Sequence, residues 1–326
     1  MNLIDRAWQY LGGRPGKSIS GRVLHVLAGY PETPLPELSA PGWQVLPLDV
    51  NPPDGQLPEG WLDEALKAAA RHPGPVLLVA SSRSGVLRSE GLTAFEDAAA
   101  FAGFGRVELL LLTRDPGARL RSMRSAMLMD PARGYVEYEE MLGDVDDPVQ
   151  ALAWQEAVGR SRRTGLVVRN ADRCGERLSG HIEAWLGLPS GTLTADPVPA
   201  GRRELTAAEI VFLESVQRSA RYPLPPIAAA LTEVDPLDPQ ARLPLEPAFR
   251  EALHANIAPA MEAFHANAEP DARFVWDIPD AAVAESRFRY TPRQIEVIAE
   301  VYGRHVEAMR QTHREVLDRF NAWLNA

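Results

Sequence analysis

The chain is poor in cysteine: Cys174 is the single one among 326 residues. A lone cysteine forms no bridge within the chain and no thiolate cluster, so neither a disulfide scaffold nor a cysteine-held metal is expected. Long apolar runs are also missing. No stretch approaches the roughly 18 apolar residues of a membrane span, and residues 1–11 lack the pattern of a secretory signal. Basic charge is short as well, with 34 Lys and Arg against 44 Asp and Glu, a net charge of −10. That sign argues against a nonspecific nucleic-acid binder and leaves room for a local basic pocket alone. No metal constellation, internal repeat or low-complexity tract is seen. A cytoplasmic globular protein is the expectation, long enough for one large α/β domain or two smaller ones.

What the chain does have is a regular alternation. Five short apolar segments read as buried strands: Arg22–Ala28, Gln44–Val50, Pro75–Ala80, Val107–Thr113 and Gly165–Arg169. Helical patterns lie among them at Gly60–Arg71, Leu92–Gly103, Pro116–Met129 and Val149–Arg160. Such alternation predicts an α/β fold, a parallel central sheet flanked by helices. Arg173–Leu188 follows with Leu178, Ile182, Trp185 and Leu186 at helical spacing, and Gly187 is placed to end that helix.

From about Asp196 the texture changes, and a helical C-terminal extension is expected. Helices are predicted over Thr206–Ala220 and Glu246–Ala266, and the proline-rich stretch Tyr222–Pro247 between them is expected to wrap the surface. Thr291-Pro292 then supplies an N-cap and a first-turn proline. The helix they open carries Ile295, Ile298, Tyr302, His305, Met309, Val316, Phe320 and Trp323 on one stripe. That stripe packs within the monomer or pairs with a second copy as a homodimer. The expected organisation is an α/β domain over residues 1–220 and an extension over 221–326 packed on it.

The most informative stretch is Val107–Ser122. A continuous apolar run ends in Arg114-Asp115-Pro116, and Ser122 comes eight positions after Arg114 on a helix that Pro116 starts. Arg114 thus falls at the carboxyl end of a strand, where open α/β sheets place ligands. A guanidinium and a hydroxyl so disposed can grip one phosphate, the arginine forking two of its oxygens.

Arg114, Pro116 and Ser122 resemble, in identity and spacing, the 3′-phosphate-binding segment of the bacterial-type sulfotransferases that use 3′-phosphoadenosine 5′-phosphosulfate. Val76–Glu90 is similar to that group's strand running into a Ser-Glu loop. Trp154, Val168-Arg169, Leu186-Gly187-Leu188 and the helix after Arg203 follow in the family's order, so the resemblance spans roughly Arg22–Ala220. It implies a P-loop-like sulfotransferase fold and sulfuryl transfer from that nucleotide to a hydroxyl of a carbohydrate or small metabolite. By the same resemblance Arg114 and Ser122 hold the 3′-phosphate, Gly29 and Thr33 lie at the 5′-phosphosulfate, and no metal is needed. Glu90 is the first candidate base for the acceptor hydroxyl and His25 the second, each with a plain alternative: a surface carboxylate before a helix, and a core histidine.

One departure matters. After the first strand the family carries a glycine-rich loop with a lysine, which aims N–H groups and positive charge at the phosphosulfate. Here the loop reads Gly29-Tyr30-Pro31-Glu32-Thr33-Pro34-Leu35-Pro36, so Glu32 reverses the charge and three prolines delete donors. A catalytically impaired relative that binds a nucleotide, a glycan or a protein partner is therefore the alternative expectation. The Walker-like run Leu11–Ser18, with Leu11 at the first glycine position, precedes a strand instead of following one, which argues against a phosphate loop there.

Overall fold

The computed structural model describes residues 21–29, 38–39, 42–48, 61–80, 89–130, 137–195, 203–219, 224–238, 242–279 and 289–324. They belong to two compact units: Met1–Asp115, Asp146–Ala200 and Ala255–Val275 in the first, and Pro116–Val145, Gly201–His254 and Trp276–Ala326 in the second.

The first unit holds a five-stranded, all-parallel sheet. Its strands are β1 (Val23–Ala28), β3 (Gln44–Leu48), β4 (Val76–Ala80), β5 (Arg106–Thr113) and β6 (Thr164–Asn170), in the order β3-β4-β1-β5-β6. A separate antiparallel pair joins β2 (Leu38–Ser39) to β7 (Thr194–Ala195). Strands buried on both faces read as unbroken apolar runs, which is why the sequence marks them clearly.

The two-residue period sorts their side chains between faces. Leu24, Val26, Leu78, Leu109 and Leu111 point to one side, against α1 (Trp61–Arg71), α2 (Leu92–Phe101), α4 (Asp147–Arg160), Phe264 and Phe274. Leu27, Leu77, Leu110 and Leu112 point to the other, against Ile182 and Leu186 of α6 (Leu178–Leu186). Between β6 and α6 runs the one-turn helix α5 (Ala171–Cys174), with Cys174 buried. Gly187 ends α6 with φ +70°, the left-handed conformation that glycine adopts without strain.

The second unit is helical. It contains α3 (Pro116–Met129), α7 (Ala207–Ser219), α8 (Leu224–Leu231), residues 247–254 of α9 (Pro247–His265) and α10 (Pro292–Leu324). Its core is drawn from Leu120, Met123, Met141, Leu205, Ile210, Leu213, Ile227, Leu231 and Leu253.

Helix α8 corrects one expectation, since it lies inside the proline-rich stretch read as a surface wrap. Pro225 and Pro226 occupy its first turn, where a missing N–H removes no helix bond, and Leu224, Ile227, Ala228 and Leu231 are buried. Two capping boxes start the neighbouring helices. Thr206 and Glu209 open α7, Thr291 and Gln294 open α10, and Gln294 Nε2 donates to Glu209 Oε1 at 2.7 Å. Among the described residues no helix is long and apolar enough to cross a membrane.

Candidate functional site

Strand order points to the site. The chain leaves β1 toward the β3 edge and leaves β5 toward β6 on the other side, so neighbouring strands β1 and β5 send their connections in opposite directions. The crevice outside the carboxyl ends of two such strands is where open α/β sheets bind ligands. Gly29, which follows β1, is buried there, and its N–H donates to Ala80 O of β4 at 3.4 Å. Arg114 directly follows β5.

Arg114 is 8% exposed and held at both ends. Its backbone N–H donates to Asp147 Oδ1 at 2.9 Å. Its guanidinium donates to Asp172 Oδ1, at 3.1 Å from Nη2 and 3.4 Å from Nε. The other Asp172 oxygen accepts the Asp115 N–H at 2.8 Å. Asp172 is itself fixed by the turn after β6, where Asn170 Oδ1 caps α5 by accepting the Asp172 N–H at 3.0 Å. Asp115 Oδ1 in turn accepts from Asn170 Nδ2 at 2.7 Å and from the Val275 N–H at 2.8 Å. Around one arginine the strand ends thus gather Asp115, Asp147 and Asp172. A phosphate entering here must displace Asp172 from the guanidinium and approach two further carboxylates.

Ser122 is 3% exposed on α3 and belongs to the second unit. Its hydroxyl donates to Glu204 Oε1 at 2.8 Å, and Arg121 Nε stands 3.9 Å from the other Glu204 oxygen. Each of the two residues assigned to the 3′-phosphate therefore faces a carboxylate of its own unit. Asp172 and Glu204 lie 58 and 82 positions away in sequence, so no local pattern announces these pairs. The Asn170-x-Asp172 turn after a strand is the one local signal, a helix cap that fixes where Asp172 sits.

The two candidate bases are placed differently. Glu90 is exposed, in the 3₁₀ turn Ser89–Gly91 just before α2, whose N-cap, Gly91, carries no side-chain acceptor. His25 lies three residues before the end of β1, roughly 10 Å back along the strand at about 3.3 Å per residue. Its ring packs edge-on against Trp43 and Trp185, with centroids 4.9 and 5.2 Å away. Burial lowers its pKa from 6.5 to about 4, so it is neutral at pH 7. Its Nδ1 has no hydrogen-bond partner among the described residues.

Thr33 and Glu32 lie outside the described residues. Among the described residues no group of His, Cys, Asp and Glu is gathered to hold a metal ion. In comparisons with known proteins, no family model, curated protein or solved structure matches the chain.

Proposed function

We propose that this chain is a relative of the sulfotransferases that use 3′-phosphoadenosine 5′-phosphosulfate, and that it receives the nucleotide at the crevice outside β1 and β5. The observation that carries the reading is Arg114, a guanidinium directly after an interior strand of a parallel sheet, at the point where the connections diverge. Arginine at such a place suits a phosphate, because its fork meets two oxygens at once. The strand order and the helices on both faces are compatible with the P-loop-like sulfotransferase fold that the resemblance implies.

In this reading the nucleotide donates a sulfuryl group to a hydroxyl of a carbohydrate or small metabolite. Arg114 binds the 3′-phosphate once Asp172 releases it. Gly29 contributes a backbone at close approach, as a residue without a side chain permits. Glu90 takes the acceptor's proton; as an exposed carboxylate it is accessible to an acceptor from solvent.

A specific observation favours a second reading, a relative that keeps the fold and binds a ligand without transferring sulfuryl. Asp172 already occupies the Arg114 fork, and the loop after β1 carries Glu32 in place of lysine. Transfer without positive charge at the leaving group lacks the electrostatic stabilisation on which such reactions depend.

Incubation with a labelled donor and a panel of hydroxyl acceptors separates the two. The first reading expects label on an acceptor, with transfer lost in Arg114→Ala. Binding of 3′-phosphoadenosine 5′-phosphate by the wild type, with no labelled acceptor across the panel, establishes the second. Absence of both transfer and binding overturns the family assignment.

A further inference from the structure

Helix α10 has two faces, and among the described residues one of them is buried. Gln294, Val297 and Val301 are buried, at 1%, 7% and 8% exposure. The helix is 33 residues long, about 50 Å at 1.5 Å per residue. Every described side chain from Glu307 to Leu317 is exposed, so its second half has little cover from its own chain among the described residues.

The outer face is patterned. Ile295, Tyr302, Met309 and Val316 recur every seven residues and are 57%, 41%, 50% and 57% exposed. Interleaved with them stand Ala299, Val306, His313 and, in the sequence, Phe320, with Trp323 continuing the first series. The alternating steps of four and three give a period of 3.5, the spacing that keeps one seam against a partner helix. A helix that packs only on its own globule follows 3.6 and needs no such seam so far from the core.

Charge selects the partner. The helix carries five arginines and five acids, so it is neutral within a chain of net charge −10. Its first half has Arg293 and Arg304 against Glu296, Glu300 and Glu307, a net −1. Its second half has Arg310, Arg314 and Arg319 against Glu315 and Asp318, a net +1. Two copies laid antiparallel bring each −1 half against a +1 half, and oppose their helix dipoles favourably as well.

We propose that the outer stripe of α10 is a homodimer seam, which packs antiparallel on the same stripe of a second copy of this chain. The inference is independent of any nucleotide chemistry in the first unit. His313 sits in the seam beside Met309 and Val316 and gives it a polar layer of the kind that fixes register in coiled coils.

Sedimentation of the full chain at tens of micromolar tests it. The wild type runs at twice the mass of the chain. Met309→Glu with Val316→Glu runs as a monomer with unchanged far-UV dichroism, because both side chains are exposed. Gln311→Glu, off the seam, stays dimeric. A monomeric wild type overturns the proposal, including the case in which another stretch of the same chain covers the stripe. So does a dimer that survives the double substitution. Orientation is read with Ile295→Cys under mild oxidation. Antiparallel helices hold the two copies of position 295 far apart and give no linked dimer, whereas a linked dimer contradicts the antiparallel arrangement.

Discussion

Arg114 in the sheet unit and Arg124 in the helical unit are both buried, and both face a carboxylate. Their surroundings are unlike. Arg124 and Glu214 have side chains 2% and 8% exposed, and Nε donates to Glu214 Oε1 at 2.7 Å. Tyr138 lies over the guanidinium at 4.2 Å, and its hydroxyl reaches both Glu214 oxygens at 3.2 and 3.3 Å. The charges, the ring and the hydroxyl close on one another, and the pair joins α3 to α7. Arg114 and Asp172 have side chains 10% and 23% exposed, with both contacts longer than 3 Å and made to a single oxygen. They stand at strand ends, the side of the sheet on which open α/β folds commonly bind ligands. The first pair is part of a core; the second is more exposed and held by longer contacts.

If that contrast is right, breaking the two pairs has unequal effects on stability. Glu214→Ala takes a carboxylate away from the buried Arg124 guanidinium, and breaking a buried pair by removing one partner costs about 3–5 kcal/mol. Chemical denaturation of the full chain reads this directly, and a cost near that of an ordinary surface substitution would erase the distinction.

A smaller effect comes from His25 and sharpens what the sheet unit's interior tolerates. Its folded pKa of about 4 lies below the ordinary 6.5. Above pH 6.5 both folded and unfolded chains hold it neutral, and it has no effect. Between 6.5 and 4 the unfolded chain takes up a proton that the folded chain refuses, so stability falls as pH falls. Below 4 the loss is complete. With partial exposure to solvent the loss is on the order of 1–2 kcal/mol. Urea unfolding at pH 7 and pH 4.5 should show it in the wild type and not in His25→Leu.

The smallest effect completes the comparison. Asp172→Ala removes a partly exposed acceptor from the Arg114 guanidinium, so the expected cost is about 1 kcal/mol, near the net value of one hydrogen bond. A cost equal to that of Glu214→Ala would show that Asp172 is as structural as Glu214.

The elements were legible where one physical rule governs them. The five strands announce themselves because both faces are buried, and Pro116 and Gly187 mark a helix start and a helix end by backbone chemistry alone. Helix α8 was hidden, because Pro225 and Pro226 suggest a break until their first-turn position is known. The stripe on α10 was legible as apolar, yet it splits in the structure. Ile298 and His305 lean toward the packed side, while Ile295, Tyr302, Met309 and Val316 face out. At the site the sequence offered Arg114 and its strand end, since an arginine after an apolar run is a local pattern. It hid Asp147 and Asp172 there, and in the helical unit Glu204 beside Ser122, because those contacts form only when segments tens of residues apart fold together.

Titration of 3′-phosphoadenosine 5′-phosphate into the wild type and Asp172→Asn decides whether the Arg114 guanidinium is an anion site held by an internal competitor. Asparagine keeps an acceptor for the Asp115 N–H and removes the Asp172 charge beside the guanidinium. A charge-assisted bond contributes about 1.5–3 kcal/mol, so the variant should bind roughly tenfold tighter or better. Equal affinity in the two proteins, or weaker binding by Asp172→Asn, would contradict it.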